Sequence, residues 1–193
     1  MIIRLLIPDN AKVNITKPKE KILLSSLHKL SIENDINNLY NFILPKLEEL
    51  SITMRVIIDL NIDFDKTLIN QNLKILNLKY VNLSLNNLGR LTSHFSKLNQ
   101  LDLYKCKTDN SYEIDLFNLL GNCGNVKYIN FSNCDIKIEG KNINKLLREI
   151  LKNKLNLNFI YDDDIISIKS NIRSFHKIKR LLKKVTKKLN FDV

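Results

Sequence analysis

Two stretches of this chain, 28 residues apart, spell the same phrase. In the first, Leu98, Leu101, Leu103 and Cys106 fill an aliphatic slot, two free positions, a second aliphatic slot, one free position, a third, two free positions and Cys. In the second, Val126, Ile129, Phe131 and Cys134 fill the same slots. Alternate side chains of a strand face opposite sides. Leu101 and Leu103 are therefore expected on one face with Asp102 on the other, and Ile129 and Phe131 on one face with Asn130 on the other. A strand of this length cannot bury its own apolar face, so several copies must stack to share a core.

The phrase recurs along the chain, with starts at residues 2, 27, 47, 73, 98, 126 and 155. Ile2, Leu5, Ile7 and Asn10 fit it, as do Leu27, Leu30, Ile32 and Asp35. Leu47, Leu50 and Ile52 follow with Arg55 at the turn position, and Leu73, Leu76 and Leu78 with Val81. A seventh copy starting at Leu155 puts Asn158 in the second aliphatic slot and Ile160 in the third. The spacings, 25, 20, 26, 25, 28 and 29 residues, match the period of roughly 20–29 residues of leucine-rich repeats. The chain resembles a leucine-rich-repeat protein, and its longer, Cys-bearing copies resemble the ribonuclease-inhibitor-like subclass. The resemblance implies an α/β fold. It would be a right-handed solenoid of about six to seven irregular repeats, with parallel strands on the concave side and helices on the convex side. It also implies a protein-binding function.

Segments between the copies carry helical spacing. One face is Ile36, Leu39, Tyr40 and Ile43, and another is Leu85, Leu88, Leu91 and Phe95. A third gathers Ile114, Phe117 and Leu120, or Leu116 and Leu119; the clearest is Ile143, Leu146, Leu147, Ile150 and Leu151. Residues 55–65 are β-rich where a helix is expected, and their conformation stays open. The repeats are expected over 1–165, with Asp162–Asp164 as an acidic turn and a short strand near Ile165–Lys169. In 166–193, Ile172, Phe175, Ile178, Leu182, Val185 and Leu189 line one face of a basic helix. Stack ends need a cap with a polar outer face, and this helix is the candidate.

No stretch of about 18 apolar residues is present to span a membrane, and the N-terminal apolar run is interrupted by Arg4. With an odd number of cysteines, Cys106, Cys123 and Cys134, the expectation is a monomeric intracellular protein with reduced thiols, cytoplasmic or nuclear. Cys106 and Cys134 are read as turn and core residues. A metal or redox cluster is the alternative, but no His or fourth Cys completes a tetrahedral set. His28, His94 and His176 stand far apart and no catalytic motif is present. A non-catalytic protein without a cofactor or metal is therefore expected.

The free positions of the strands nominate the functional surface. They are Arg4 and Leu6, then Lys29, Ser31 and Glu33, then Glu49, Ser51 and Thr53. They continue through Ile75, Asn77 and Lys79, then Gln100, Asp102 and Tyr104, then Tyr128, Asn130 and Ser132, with Phe159 and Tyr161 last. Tyrosine offers a large amphipathic contact area at low entropy cost. The expected partner-binding residues are Tyr104 and Tyr128 as anchors, Lys79 and Asp102 as polar selectors, with Asn130 and Tyr161 beside them. The net charge of +11 favours acidic partners. It underlies an alternative, nucleic-acid or anionic-surface binding through Lys179, Arg180, Lys183, Lys184, Lys187 and Lys188, although a basic run of this kind is more often the wet face of an amphipathic cap.

Overall fold

The computed structural model describes residues 2–5, 21–34, 39, 42–59, 68–69, 72–108, 113–123, 125–137, 143–161, 164–168 and 175–189. Leu6, Ile7, Asn10, Asp35, Ile36, Tyr40, residues 60–65, Asp162, Asp163 and Ile172, all singled out above, lie outside them.

The fold is mixed α/β, with a predominantly parallel sheet and several helices. The main sheet contains β1 (Ile2–Leu5), β3 (Lys29–Glu33), β5 (Glu49–Asp59), β7 (Ile75–Leu83), β8 (Gln100–Tyr104), β11 (Tyr128–Ser132), β13 (Asn156–Tyr161) and β14 (Asp164–Ile168), in that spatial order. β9 (Lys107–Thr108) pairs with the end of β7. All these pairings are parallel except the last, where β14 runs antiparallel to β13. A three-stranded sheet joins β2 (Ile22–Leu23), β4 (Phe42–Leu44) and β6 (Leu68–Ile69), and β10 (Glu113–Asp115) pairs with β12 (Asp135–Lys137). The helices are α1 (Leu85–His94), α2 (Leu116–Gly121), α3 (Ile143–Lys152) and α4 (Phe175–Leu189).

The strands align phrase upon phrase. Leu30, Leu50, Leu76, Leu101, Ile129 and Leu157 are register partners in turn, as are Ile32, Ile52, Leu78, Leu103, Phe131 and Phe159. All are buried, and full burial of such a side chain is worth about 1.5–3 kcal/mol. Just before each strand one carbonyl accepts two amides of the next unit. His28 takes Glu48 and Glu49, Glu48 takes Lys74 and Ile75, Lys74 takes Asn99 and Gln100, and Asn99 takes Lys127 and Tyr128.

Two copies sit in a different register from the expected one. β1 pairs Ile3 with Leu30 and Leu5 with Ile32, two residues away from the expected match of Leu5 with Leu30. The run Ile2–Ile7 is apolar almost throughout and satisfies either choice; a slip of two leaves the faces unchanged, unlike a slip of one. The last copy is displaced by one. Leu157 and Phe159 take the buried slots, not Asn158 and Ile160, and Phe159 stacks on Phe131 with ring centroids 5.1 Å apart. The cause is the end of α3. Leu155 donates to the Ile150 carbonyl (2.9 Å) and Lys154, at φ 53°, donates to that of Leu151 (3.3 Å). This is a Schellman closure, and Leu155 is consumed by it.

The connecting segments divide by length. Between β3 and β5, only 20 residues separate successive phrase starts, and Ile43, expected on a helix, lies in β4. α1, α2 and α3 occupy the longer segments that follow. In α3, Leu146, Leu147 and Ile150 are buried and Leu151 is exposed. Asp115 caps α2, accepting the amides of Phe117 (3.0 Å) and Asn118 (3.2 Å), as N-cap carboxylates do. β5 continues through Arg55 to Asp59, with a bulge between Thr53 and Ile58 against β7. α4 packs against α3, β12 and β14 and buries Ile178 and Leu182. Among the described residues no helix is long and apolar enough to cross a membrane.

Candidate partner-binding face

The residues between the buried ones form an open face of the main sheet. Across β3, β5, β7, β8 and β11 this face is hollowed into a depression of about 490 Å³, bordered by Glu33, Ser51, Asn77, Lys79, Asp102 and Tyr104 among others. The open face also carries a series of side-chain hydrogen bonds, most of them between neighbouring strands. Asn77 Nδ2 donates to Ser51 Oγ (2.9 Å) and Glu49 Oε1 (3.2 Å), and Glu49 is also paired with Lys29 (2.7 Å). Asp102 accepts from Gln100 Nε2 on one carboxylate oxygen (2.9 Å) and from Asn130 Nδ2 on the other. Asn158 Nδ2 continues the line onto Asn130 Oδ1 (2.6 Å).

Of the expected partner-binding residues, Lys79, Asp102 and Tyr104 are brought together in the depression, and Asn130 is tied to them through Asp102. Tyr128 is 47% exposed, but it lies level with Gln100, at the opposite end of the strands from Tyr104, which is level with Ser132. Four residues of strand separate the two levels, about 13 Å at ~3.3 Å per residue. Phe159, expected on the open face, is buried against Phe131. Tyr161 stands two residues further along β13, at a register position of the Phe159 set rather than the Asn158 set, and pairs through its backbone with Asp164. Asn158, which looked like a flaw in the last phrase, is the true partner of Asn130 on the open face.

Two residues of this region were not singled out from sequence. Just past β3, β8 and β11, and inside β7, the backbone turns through one residue of positive φ: Asn34 (68°), Lys105 (48°), Asn133 (50°) and Tyr80 (58°), respectively. Tyr80 meets Tyr104 edge-on at 5.6 Å between centroids. Lys79 Nζ lies 5.8 Å from the Tyr104 ring, and Lys105 Nζ lies 5.7 Å from Tyr104 and 5.8 Å from Tyr80. These are cation–π distances. The signal was available: Asn tolerates the left-handed region, and Asn34 and Asn133 mark the place in the phrase where the backbone takes it up.

The cysteines belong to the interior. All three are free and buried. Cys106 Sγ donates to the Leu78 carbonyl (3.3 Å), Cys134 Sγ to the Leu103 carbonyl (3.5 Å), and Cys134 Sγ accepts the Cys106 amide (3.4 Å). The turn-position thiols thus bond to backbone groups at the strand ends. Burial pushes the Cys106 thiol up to about 12, helped by the neighbouring Cys134; burial alone takes Cys123 to about 12 and is the main reason Cys134 stands at about 11. Such thiols stay protonated and poorly nucleophilic at neutral pH. Among the described residues no cluster of three or more His, Cys, Asp or Glu could hold a metal ion.

On α4, Arg180, Lys183 and Lys184 are exposed and Lys179 half-buried, opposite the buried Ile178 and Leu182; Lys187 and Lys188 follow in the same helix. No protein-family model, curated protein or solved structure matches the chain.

Proposed function

We propose that this chain is a leucine-rich-repeat-type solenoid that binds a partner protein through the open face of its parallel sheet, without catalysis. The observation that carries the reading is the depression itself, built by side chains from five successive strands and ending at Tyr104. A face of aligned strands has its backbone hydrogen bonds already satisfied along the ladder. It therefore offers side chains alone, on a stiff frame, and recognition proceeds by surface complementarity. A half-buried tyrosine beside hydroxyls and amides is the kind of anchor that dominates such contacts. Seven strands about 4.8 Å apart span roughly 30 Å, which suits the small end of standard interface size.

The test is site-specific photo-crosslinking. A benzophenone side chain in place of Thr53, within the depression, captures a protein from cell extract. The captured protein is then titrated against wild type and Tyr104→Ala. A drop of tenfold or more with unchanged circular dichroism supports the reading, and unchanged affinity removes it.

A second reading rests on the exposed Arg180, Lys183 and Lys184 of α4, which form a basic strip suited to nucleic acid or an anionic surface. It predicts that affinity for such a probe falls steeply with salt. Changing Lys183, Lys184, Lys187 and Lys188 to Gln should flatten that dependence, and an unchanged salt slope would remove the α4 strip from the account.

A further inference from the structure

The middle of β7 and the adjoining end of β8 carry a set of side chains outside the hydrogen-bonded series of the open face. Lys79 and Tyr80 lie within β7, Tyr104 closes β8 and Lys105 follows it; Lys79 and Tyr104 are register partners. We infer that Lys79 and Lys105, held against the rings of Tyr104 and Tyr80, form a subsite for an acidic side chain of the partner protein, an Asp or Glu carboxylate. The inference rests on the open-face reading above and names the chemistry recognised at one end of it.

Three observations carry it. First, neither ammonium group has an ion pair or hydrogen bond among the described residues; their contacts are to the two rings. Each therefore keeps three N–H donors. Second, Asp102 in the same depression accepts an amide on each oxygen, from Gln100 and Asn130, and its hydrogen bonds do not involve Lys79 or Lys105. Third, the backbone there is held at a cost. Strands β3 and β11 are each followed by Asn, the residue that adopts positive φ most readily after glycine. β7 and β8 place Tyr80 and Lys105 in that conformation instead. A left-handed residue other than Gly or Asn costs roughly 1–2 kcal/mol, and strain of this kind collects at functional sites. What Tyr80 and Lys105 provide in exchange is a pedestal. The rings sit near both ammonium groups and restrict them before an anion arrives, which reduces the ordering cost of binding.

The test is a titration of the full chain, followed by amide NMR, with three decapeptides identical except at alternate positions, which carry Glu, Gln or phosphoserine. The Glu peptide should shift the amides of residues 79–80 and 104–105. Its affinity should fall at least fivefold in the Lys79→Gln/Lys105→Gln variant, and stay within twofold in Lys183→Gln/Lys184→Gln. The Gln peptide should bind at least fivefold more weakly than the Glu peptide. Equal binding of the Glu and Gln peptides overturns the inference, as do shifts confined to α4. Phosphoserine binding tenfold tighter than Glu overturns the commitment to a carboxylate and points to a phosphorylated partner. Shifts at Ser51, Thr53 and Asn77 that ignore the lysine pair also sink the subsite, while leaving the open face as a binding face. If no open-face amide moves with any peptide, the subsite and the face fail together.

Discussion

Asn130 donates its side-chain amide to Asp102 across the pairing of β8 with β11, and Asn158 makes the same kind of bond onto Asn130 one strand further on. With Gln100 on the other carboxylate oxygen, Asp102 accepts side-chain amides from two strands, β8 and β11, and ends a line of polar side chains that starts at Asn158. It is a part of the frame as much as of the surface. Asp102→Ala leaves two amide donors without their charged acceptor in a half-buried setting. The expected loss is about 1–2 kcal/mol, read as a lower urea midpoint at unchanged slope. Asp102→Asn should recover only part of it, since one of its two terminal atoms is a donor. A midpoint within error of wild type for Asp102→Ala would mean that the ladder contributes nothing.

Phe159 and Tyr128 form a contrasting pair. Phe159 is fully buried and stacked on Phe131, whereas Tyr128 is half exposed. Phe159→Ala should cost about 3–5 kcal/mol, and Tyr128→Ala less than about 0.5 kcal/mol, the usual range for surface positions. The reverse order would restore the register in which Phe159 faces outward.

What the sequence reveals and what it hides follows from how each unit is specified. The central phrases are legible because Leu101, Leu103, Ile129 and Phe131 leave only one face to bury, and a one-residue slip would expose them. Tyr104, Asp102 and Lys79 could be nominated for the same reason. The ends are less determined. Ile2–Ile7 is apolar in both registers, so pattern alone does not choose between them. At Leu155 the choice is made by a helix closure that depends on a hydrogen-bond geometry, not on hydrophobicity. The helical spacing of Leu39 and Ile43 misleads because the short segment puts Ile43 in β4. Tyr80 and Lys105 go unnoticed because they lie between pattern positions, where only the backbone's positive φ gives them a role.

Lys154 occupies the closing position of α3 at φ 53°, where glycine carries no Cβ penalty. Lys154→Gly should therefore stabilise the protein, by about 1 kcal/mol, less what glycine adds to unfolded-chain entropy. Thermal unfolding would register it as a rise of a few degrees, and a fall instead would mean that the Lys154 side chain contributes more than its backbone costs.

The cysteines give a pH signature of defined sign. From an ordinary value of 9.0, Cys106 and Cys123 are raised to about 12 and Cys134 to about 11. Below pH 9 both folded and unfolded chains hold these protons, and the thiols add no pH dependence. Above it the unfolded chain releases them while the native chain does not. The unfolded state then binds fewer protons, and stability falls as pH rises, by up to about 1.4 kcal/mol per pH unit for each thiol. The loss begins near pH 9 and continues until each folded thiol itself ionises. Lysine titration overlaps this window, so the comparison is with Cys123→Ala. That variant is less stable at pH 7 because it leaves a cavity, yet its stability should decline less steeply between pH 9 and 10.5. Parallel slopes for the two proteins in urea titrations across that range would show that Cys123 is not held neutral by burial.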